Sequence, residues 1–284
     1  MLTPFFIDWN VDPALFRIGA FEVRYYALCW IAAFLIGLYI FGKMLKKENL
    51  NPKLSDSIFL YAFISTLIGA RLGHCIFYES AEYWQNPWQV FNLRQGGLAS
   101  HGAAIGMLIG LWLFSRKHKI KYIWTLDRVV TVIPIGGALI RLGNLFNSEI
   151  YGDPTGSSYG FRFIENIYEW ANEGAVPIYS LPSHPTQIYE AVIYTLIFIL
   201  LMYLYFKKNI GTRYPGLLFA LFLITVFGSR FFIETIKNPQ DTLDATRQMT
   251  LGLNTGQLLS IPFVIIGFII LYMSIKHKFS LSGK

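Results

Sequence analysis

The stretch Gly136-Gly-Ala-Leu-Ile-Arg-Leu-Gly-Asn-Leu-Phe-Asn-Ser-Glu-Ile-Tyr-Gly152 sets an arginine inside an apolar run. A guanidinium stays charged at any ordinary pH, and holding it at membrane depth costs from ~3 to over ~10 kcal/mol. Something anionic or polar must meet Arg141. Asn144, three residues on, shares its helix face; Asn147 and Ser148 continue the polar stripe, and Glu149 follows at the helix end. A second arginine, Arg230, lies in Leu-Phe-Ala-Leu-Phe-Leu-Ile-Thr-Val-Phe-Gly-Ser-Arg-Phe-Phe-Ile-Glu-Thr-Ile, with Glu234 four positions later. Each arginine has a plain structural alternative, an internal Arg/Glu pair that locks a helix bundle. One such pair does not require Asn144 and Asn147 as well, and a concentration of this kind marks a ligand site. The ligand that suits two arginines inside a bilayer is a phospholipid headgroup.

Composition agrees with a membrane setting. Of 284 residues, 54% are hydrophobic and 14% charged, and the mean hydropathy is +0.44, outside the usual range of a soluble domain. Apolar runs approaching or crossing a ~30 Å hydrocarbon core recur near Tyr26 to Phe41, Ser57 to Phe77, Gly97 to Phe114, Leu126 to Phe146, Thr186 to Phe206, Gly216 to Ile236 and Gly256 to Ile275. The expected fold is an all-α polytopic membrane protein of seven transmembrane helices, one integral-membrane domain over residues 1–284. Basic clusters at Lys43/Lys46/Lys47/Lys53, Arg116/Lys117/Lys119/Lys121, Lys207/Lys208/Arg213 and Lys276/Lys278/Lys284 follow alternate spans. The positive-inside rule then puts those loops and the C-terminus in the cytoplasm and the N-terminus outside. Residues 1–24 are expected as an interfacial arm, and the acidic stretch 148–183 as a small extracytoplasmic head between spans four and five.

The net charge of +7 does not indicate nucleic acid, because the lysines are divided among short loops instead of forming one stripe. The start, MLTPFFIDWNVDPALFRIG, lacks a basic segment before an apolar one, so the first span is expected to stay attached. Cys29 and Cys75 both fall in spans without ligand spacing, which argues for small buried residues and against a disulfide, a metal site or an enzyme thiol. No Walker loop or dinucleotide fingerprint is present, and no cofactor and no metal are expected.

A further constellation is Gln95-Gly-Gly-Leu-Ala-Ser-His-Gly-Ala-Ala-Ile-Gly106. Gly102, Gly106 and Gly110 make a smooth ridge for a second helix. His101, beside that ridge near the outer end of a span, is either a structural hydrogen-bonder or a base. Arg71 reads as a packing or lipid-contact residue, Asp127 and Arg128 as interfacial structural groups, and Ser183 to Glu190 as a capped helix start with Glu190 facing inward.

At these residues the chain resembles bacterial prolipoprotein diacylglyceryl transferases. The resemblance is carried by Arg24-Tyr-Tyr-Ala, Ala70-Arg-Leu-Gly73, Gly96-Gly-Leu-Ala-Ser-His-Gly102, Arg141 to Gly152, His184-Pro-Thr-Gln-Ile-Tyr-Glu190, Arg230-Phe-Phe-Ile-Glu234 and Gly256-Gln-Leu-Leu-Ser-Ile-Pro262. It spans nearly the whole length, and Arg141 to Gly152 is its most specific part. Departures are mild: Gln95 stands where an acidic residue is frequent, and Ala103 where a glycine is common.

The resemblance implies a multi-pass enzyme of the bacterial plasma (inner) membrane, with its active site toward the extracytoplasmic half. It implies transfer of the diacylglyceryl group from phosphatidylglycerol to the lipobox cysteine thiol of a prolipoprotein, with release of glycerol 1-phosphate. Membrane lipids and lipobox signal peptides are the implied partners, and nucleic acid is not. Residues matching functional positions are Tyr26, His101, Arg141, Asn144, Glu149, Gly152, Arg230 and Glu234. In the expected chemistry His101 is the base, Arg141 and Arg230 meet charge on the departing phosphate, Glu149 and Glu234 orient the guanidiniums, and Asn144, Tyr26 and Gly152 shape the headgroup site. The alternative from another class is an anion or lipid transporter using the same arginines for selectivity. Inverted repeats would favour it, and none is evident between the two halves.

Overall fold

The computed structural model describes residues 5–19, 21–77, 86–92, 99–237, 252–277 and 279, with the backbone alone at Phe5, Ser100 and His101. In chain order the main elements are β1 (Phe5–Trp9), β2 (Ala14–Ile18), β3 (Phe21–Arg24), α1 (Tyr25–Lys47), α2 (Lys53–Phe77), α3 (Ser100–His118), α4 (Tyr122–Phe146), β4 (Tyr159–Phe163), α5 (Ile167–Glu173), α6 (Thr186–Phe206), α7 (Leu217–Ile236) and α8 (Thr255–Ile275). Among the described residues, six helices are long and apolar enough to cross a membrane: α1, α2, α4, α6, α7 and α8. The 19-residue α3 is not in that set. The chain forms two compact units, one from residues 1–37 and 130–280 and one chiefly from residues 38–129.

In the second unit the glycine ridge of α3 meets a matching one on α2. A methyl group at Gly69 would lie 2.7 Å from the Gly106 Cα, and one at Gly73 would lie 2.7 Å from the Gly102 Cα. Backbones this close tolerate no Cβ, which is how small residues let helices associate where no hydrophobic force separates protein from lipid. Arg71, at 4% exposure, is not a lipid contact. Its Nε donates to the Val90 carbonyl at 2.9 Å and its Nη2 to those of Gln89 and Asn92 at 2.7 and 3.0 Å, fastening the helical turn Pro87–Phe91. Arg128, fully buried, donates from Nε and Nη2 to Glu48 Oε1 at 3.0 and 2.8 Å, while Trp124 Nε1 donates to Oε2 at 2.7 Å. Both arginines have the structural roles of satisfied buried cations.

The first unit corrects the all-α expectation, because its described residues include four short strands. Aromatic residues dominate Phe-Phe-Ile-Asp-Trp and Tyr-Gly-Phe-Arg-Phe and favour a pleated backbone. The two pair in parallel as β1 and β4, from Phe5↔Tyr159 to Trp9↔Phe163. Arg162 clamps Asp8 at 2.6 and 2.7 Å, and that guanidinium holds the Asp8 carboxyl below its ordinary value. β2 and β3 form an antiparallel hairpin. The N-terminal arm is thus folded onto the head segment, and Trp9 Nε1 donates at 2.8 Å to the Leu145 carbonyl at the end of α4, which also accepts from the Ser148 amide at 3.1 Å.

The glycine seam makes a direct prediction. Gly69→Ala should destabilise the protein by about 1–3 kcal/mol through overpacking. Gly37→Ala, whose added methyl meets nothing within 4 Å, should be neutral or slightly stabilising. Thermal unfolding of the purified variants in detergent checks the contrast.

Candidate active site

The site lies in the first unit and is built outward from α4. Spacing by three places Arg141 and Asn144 on one face, with Asn147 just beyond the helix end, and Asn144 and Asn147 are 3% and 7% exposed. The helix closes with Ser148 at φ 52°, and Ile150 follows at φ 60°. A β-branched residue in the left-handed region is strained by ~1–3 kcal/mol and persists only where its surroundings fix it. Here the start of α6 does so: Gln187 Nε2 donates to the Glu149 carbonyl at 2.8 Å and Thr186 Oγ1 to the Ile150 carbonyl at 3.0 Å. The turn holds the Glu149 carboxylate so that Oε1 accepts from Asn144 Nδ2 at 2.8 Å and Asn147 Nδ2 at 3.2 Å.

Arg141 donates from Nη1 to Asn144 Oδ1 at 3.3 Å, and its Nε lies 2.8 Å from Glu190 Oε2. Glu149 therefore acts on this guanidinium through Asn144, while Glu190, on α6 and completely buried, supplies the direct carboxylate. Arg230 repeats the pattern, with Nε 3.2 Å from Glu234 Oε1 and a side chain 38% exposed. Lys237, at 4% exposure, joins the halves: its Nζ lies 3.5 Å from Glu190 Oε2 and 3.6 Å from Glu234 Oε1. Burial, chiefly, and the Arg141 charge hold the Lys237 ammonium below the ordinary lysine value.

Two glycines make room for this arrangement. Gly152 donates to the His184 carbonyl at 2.8 Å and bridges to Lys237 through the backbone. A methyl there would lie 2.7 Å from Thr186 Cγ2 and against the Ile236 carbonyl. Its demand for glycine comes from this close approach, which brings the end of α7 alongside the start of α6. Gly256 lies against the Glu234 carboxylate, where a methyl would sit 2.6 Å from Oε1. A capping box formed by Asn254 and Gln257 starts α8, and Asn254 Nδ2 donates at 2.7 Å to the Glu234 carbonyl. The α7 span itself contains a π-helical turn, Leu223–Phe227, just before Arg230, a distortion frequent at functional sites. Tyr26, half-buried near the start of α1, packs over Gly143, whose added methyl would meet its ring at 2.7 Å.

Residues 13–273 match the family described as prolipoprotein diacylglyceryl transferase. A protein of Porphyromonas gingivalis named phosphatidylglycerol--prolipoprotein diacylglyceryl transferase is 44% identical over 279 residues, covering 98% of each chain. Proteins of the same name from Tolumonas auensis and Chloroherpeton thalassium are 38% and 39% identical, covering 95% and 98% of this chain and 98% and 97% of their own. The chain belongs to the prolipoprotein diacylglyceryl transferase family. It is a transferase and a multi-pass membrane protein.

In this transferase, Arg141, Asn144, Glu149, Gly152, Arg230 and Glu234 all fall in one unit, and contacts through Glu190 and Lys237 link the two arginines. His101 lies in the first turn of α3, in the other unit, and its side chain lies outside the described residues, as do Gln95, Gly96 and Gly97. Glu190 and Lys237 were not among the site residues read from sequence. The signals were there: Glu190 is the one charged residue of the 21-residue α6, and Lys237 stands three residues after Glu234 at the end of α7.

Glu190→Gln keeps the shape of that side chain and removes the charge shared by Arg141 and Lys237. Breaking a buried pair in this way should cost about 3–5 kcal/mol. Thermal unfolding should show the loss, and turnover should fall with it.

Proposed function

We propose that the protein transfers the diacylglyceryl group of phosphatidylglycerol to the lipobox cysteine of prolipoproteins, the first step of lipoprotein maturation. The observation that carries this reading is the pair of arginines, each met at Nε by a buried carboxylate and linked through Lys237. The names of the relatives support the choice of substrates. The setting is the bacterial plasma membrane, with α3 as a seventh span, the N-terminus outside, the C-terminus in the cytoplasm and one integral-membrane domain.

In the proposed reaction His101 takes the proton of the substrate thiol, whose ordinary pKa near 8.5 leaves little thiolate at neutral pH. The sulfur attacks the glycerol carbon that bears the phosphate. A C–S bond forms, the C–O bond breaks, and its electron pair leaves on the oxygen of glycerol 1-phosphate. The phosphodiester monoanion becomes a monoester dianion, and Arg141 and Arg230 meet the added charge with donors already in place. Preorganised donors in a water-poor site supply a large share of such a barrier reduction. Glu190 and Glu234 orient the guanidiniums, Glu149 fixes Asn144, and Asn144, Tyr26 and Gly152 shape the headgroup site. The thiol comes from the substrate, so neither Cys29 nor Cys75 is required.

Purified protein incubated with phosphatidylglycerol and a lipobox peptide should increase the peptide mass by one diacylglyceryl group and release glycerol phosphate in equal amount. Lipid or anion flux with no covalent change would support the transporter alternative and overturn the proposal. In the same assay Arg141→Lys, which keeps charge but loses the planar fork, should lower turnover by on the order of 10²- to 10³-fold. His101→Gln should lower it by on the order of 10²-fold or more, and wild-type turnover would remove the base assignment.

A further inference from the structure

The polar cluster of the first unit has a cation with no part in the chemistry just described. Lys237 is buried at 4% exposure, at the end of a span, where an unbalanced ammonium is expensive. Its Nζ lies 3.5 Å from Glu190 and 3.6 Å from Glu234. Those carboxylates are the groups found at the Nε positions of Arg141 and Arg230. One ammonium is therefore shared between the two anions that hold the two arginines, which come from different helices. The backbone of Lys237 is itself fixed by its bridge to Gly152 and by the Asp153 amide, which donates to the Ile236 carbonyl at 2.9 Å.

We propose that Lys237 is a positioning residue that couples Arg141 to Arg230, holding Glu190 and Glu234 on the Nε edges of the guanidiniums so that their outer ends meet the lipid phosphate together. This rests on the diacylglyceryl-transfer reading. Without the ammonium, two buried carboxylates face each other across its place and each is free to follow its own arginine. A misplacement of about 1 Å in such a clamp is enough to cost on the order of 10²-fold in rate.

Among the described residues, the groups facing Lys237 are Glu190 and Arg141 from α6 and α4, and Glu234 and Arg230 from α7, which ends just before it. Burial and the two arginines lower its proton affinity, while the carboxylates raise it, and the net direction is below the ordinary value of 10.5. As pH rises, Lys237 loses its proton before an exposed lysine would, and the coupling is lost with it. An arginine at this position does not titrate in that range.

Turnover of wild type, Lys237→Arg and Lys237→Met is to be measured against pH with dioleoyl phosphatidylglycerol and a lipobox peptide. Lys237→Met should lose turnover on the order of 10²-fold. Lys237→Arg should retain most of it, with the alkaline limb of its profile moved to higher pH. In parallel, the rise in melting temperature that the same lipid produces is to be compared for Arg141→Lys, Arg230→Lys, Lys237→Met and the two double variants that include Lys237. Coupling predicts that each double variant loses much less than the sum of the single losses.

Wild-type kcat and KM in Lys237→Met overturn the proposal. So does a Lys237→Arg enzyme as inactive as Lys237→Met, because the amine itself would then be the requirement, and so does an unmoved alkaline limb. Should Lys237→Met fail to fold, the Lys237→Arg profile decides alone. A wild-type protein that binds lipid but yields no product contradicts the transfer reading, and the melting cycle still decides the coupling: additive losses overturn it.

Discussion

A charge surrounded by hydrocarbon must be answered within hydrogen-bond reach, and the first unit of this protein is arranged around that requirement. Arg141, Arg230 and Lys237 are cations at or beside spans that are otherwise almost wholly apolar, and Glu190 and Glu234 stand between them at 2.8–3.6 Å. Completing such a set inside the protein is far less costly than leaving any member to the lipid. Removing one carboxylate takes the ion-pair partner from one arginine and leaves Lys237 with the other carboxylate alone, so the members of the cluster depend on one another. The cluster also does what a rigid phosphate site needs, since each carboxylate occupies one edge of a guanidinium and limits its rotation.

The surrounding backbone serves this arrangement. Ile150 is kept in the left-handed region by bonds from Gln187 and Thr186, which seat the start of α6, and with it Glu190, against the end of α4. Gly152 lets the end of α7 come close enough to place Lys237. Gly256 and the Asn254 capping box set the start of α8 against Glu234, where the helix dipole favours a carboxylate. The aromatic pairing of β1 with β4 and the bond from Trp9 to the Leu145 carbonyl cover the C-terminal end of α4.

Much of this is legible in the amino-acid sequence. The apolar runs mark the long helices, the spacing of Arg141 and Asn144 puts them on one face with Asn147 continuing the polar stripe, and Arg230 with Glu234 is readable as a pair one helical turn apart. The glycine ridge of α3 implied a close helix partner, and α2 provides it. What escaped was long-range. The partner of Arg141 lies 49 positions away on α6, and helical periodicity carries no information about which of several acids a neighbouring helix will present. Glu149, nearer in sequence, was the obvious choice and turned out to grip the asparagines. The strand pairing of residues 5–9 with 159–163 escaped for the same reason, since two short aromatic segments declare their register only when they meet. Lys237 was hidden at a span boundary, where lysines are ordinarily solvated.

The most direct measurement is a structure of the protein in a lipid disc with phosphatidylglycerol bound. The expected result is phosphate oxygens within about 3.2 Å of both the Arg141 and Arg230 guanidiniums, with Glu190 and Glu234 still at their Nε edges. A phosphate bound elsewhere, with both arginines closed onto the carboxylates alone, would contradict the central claim.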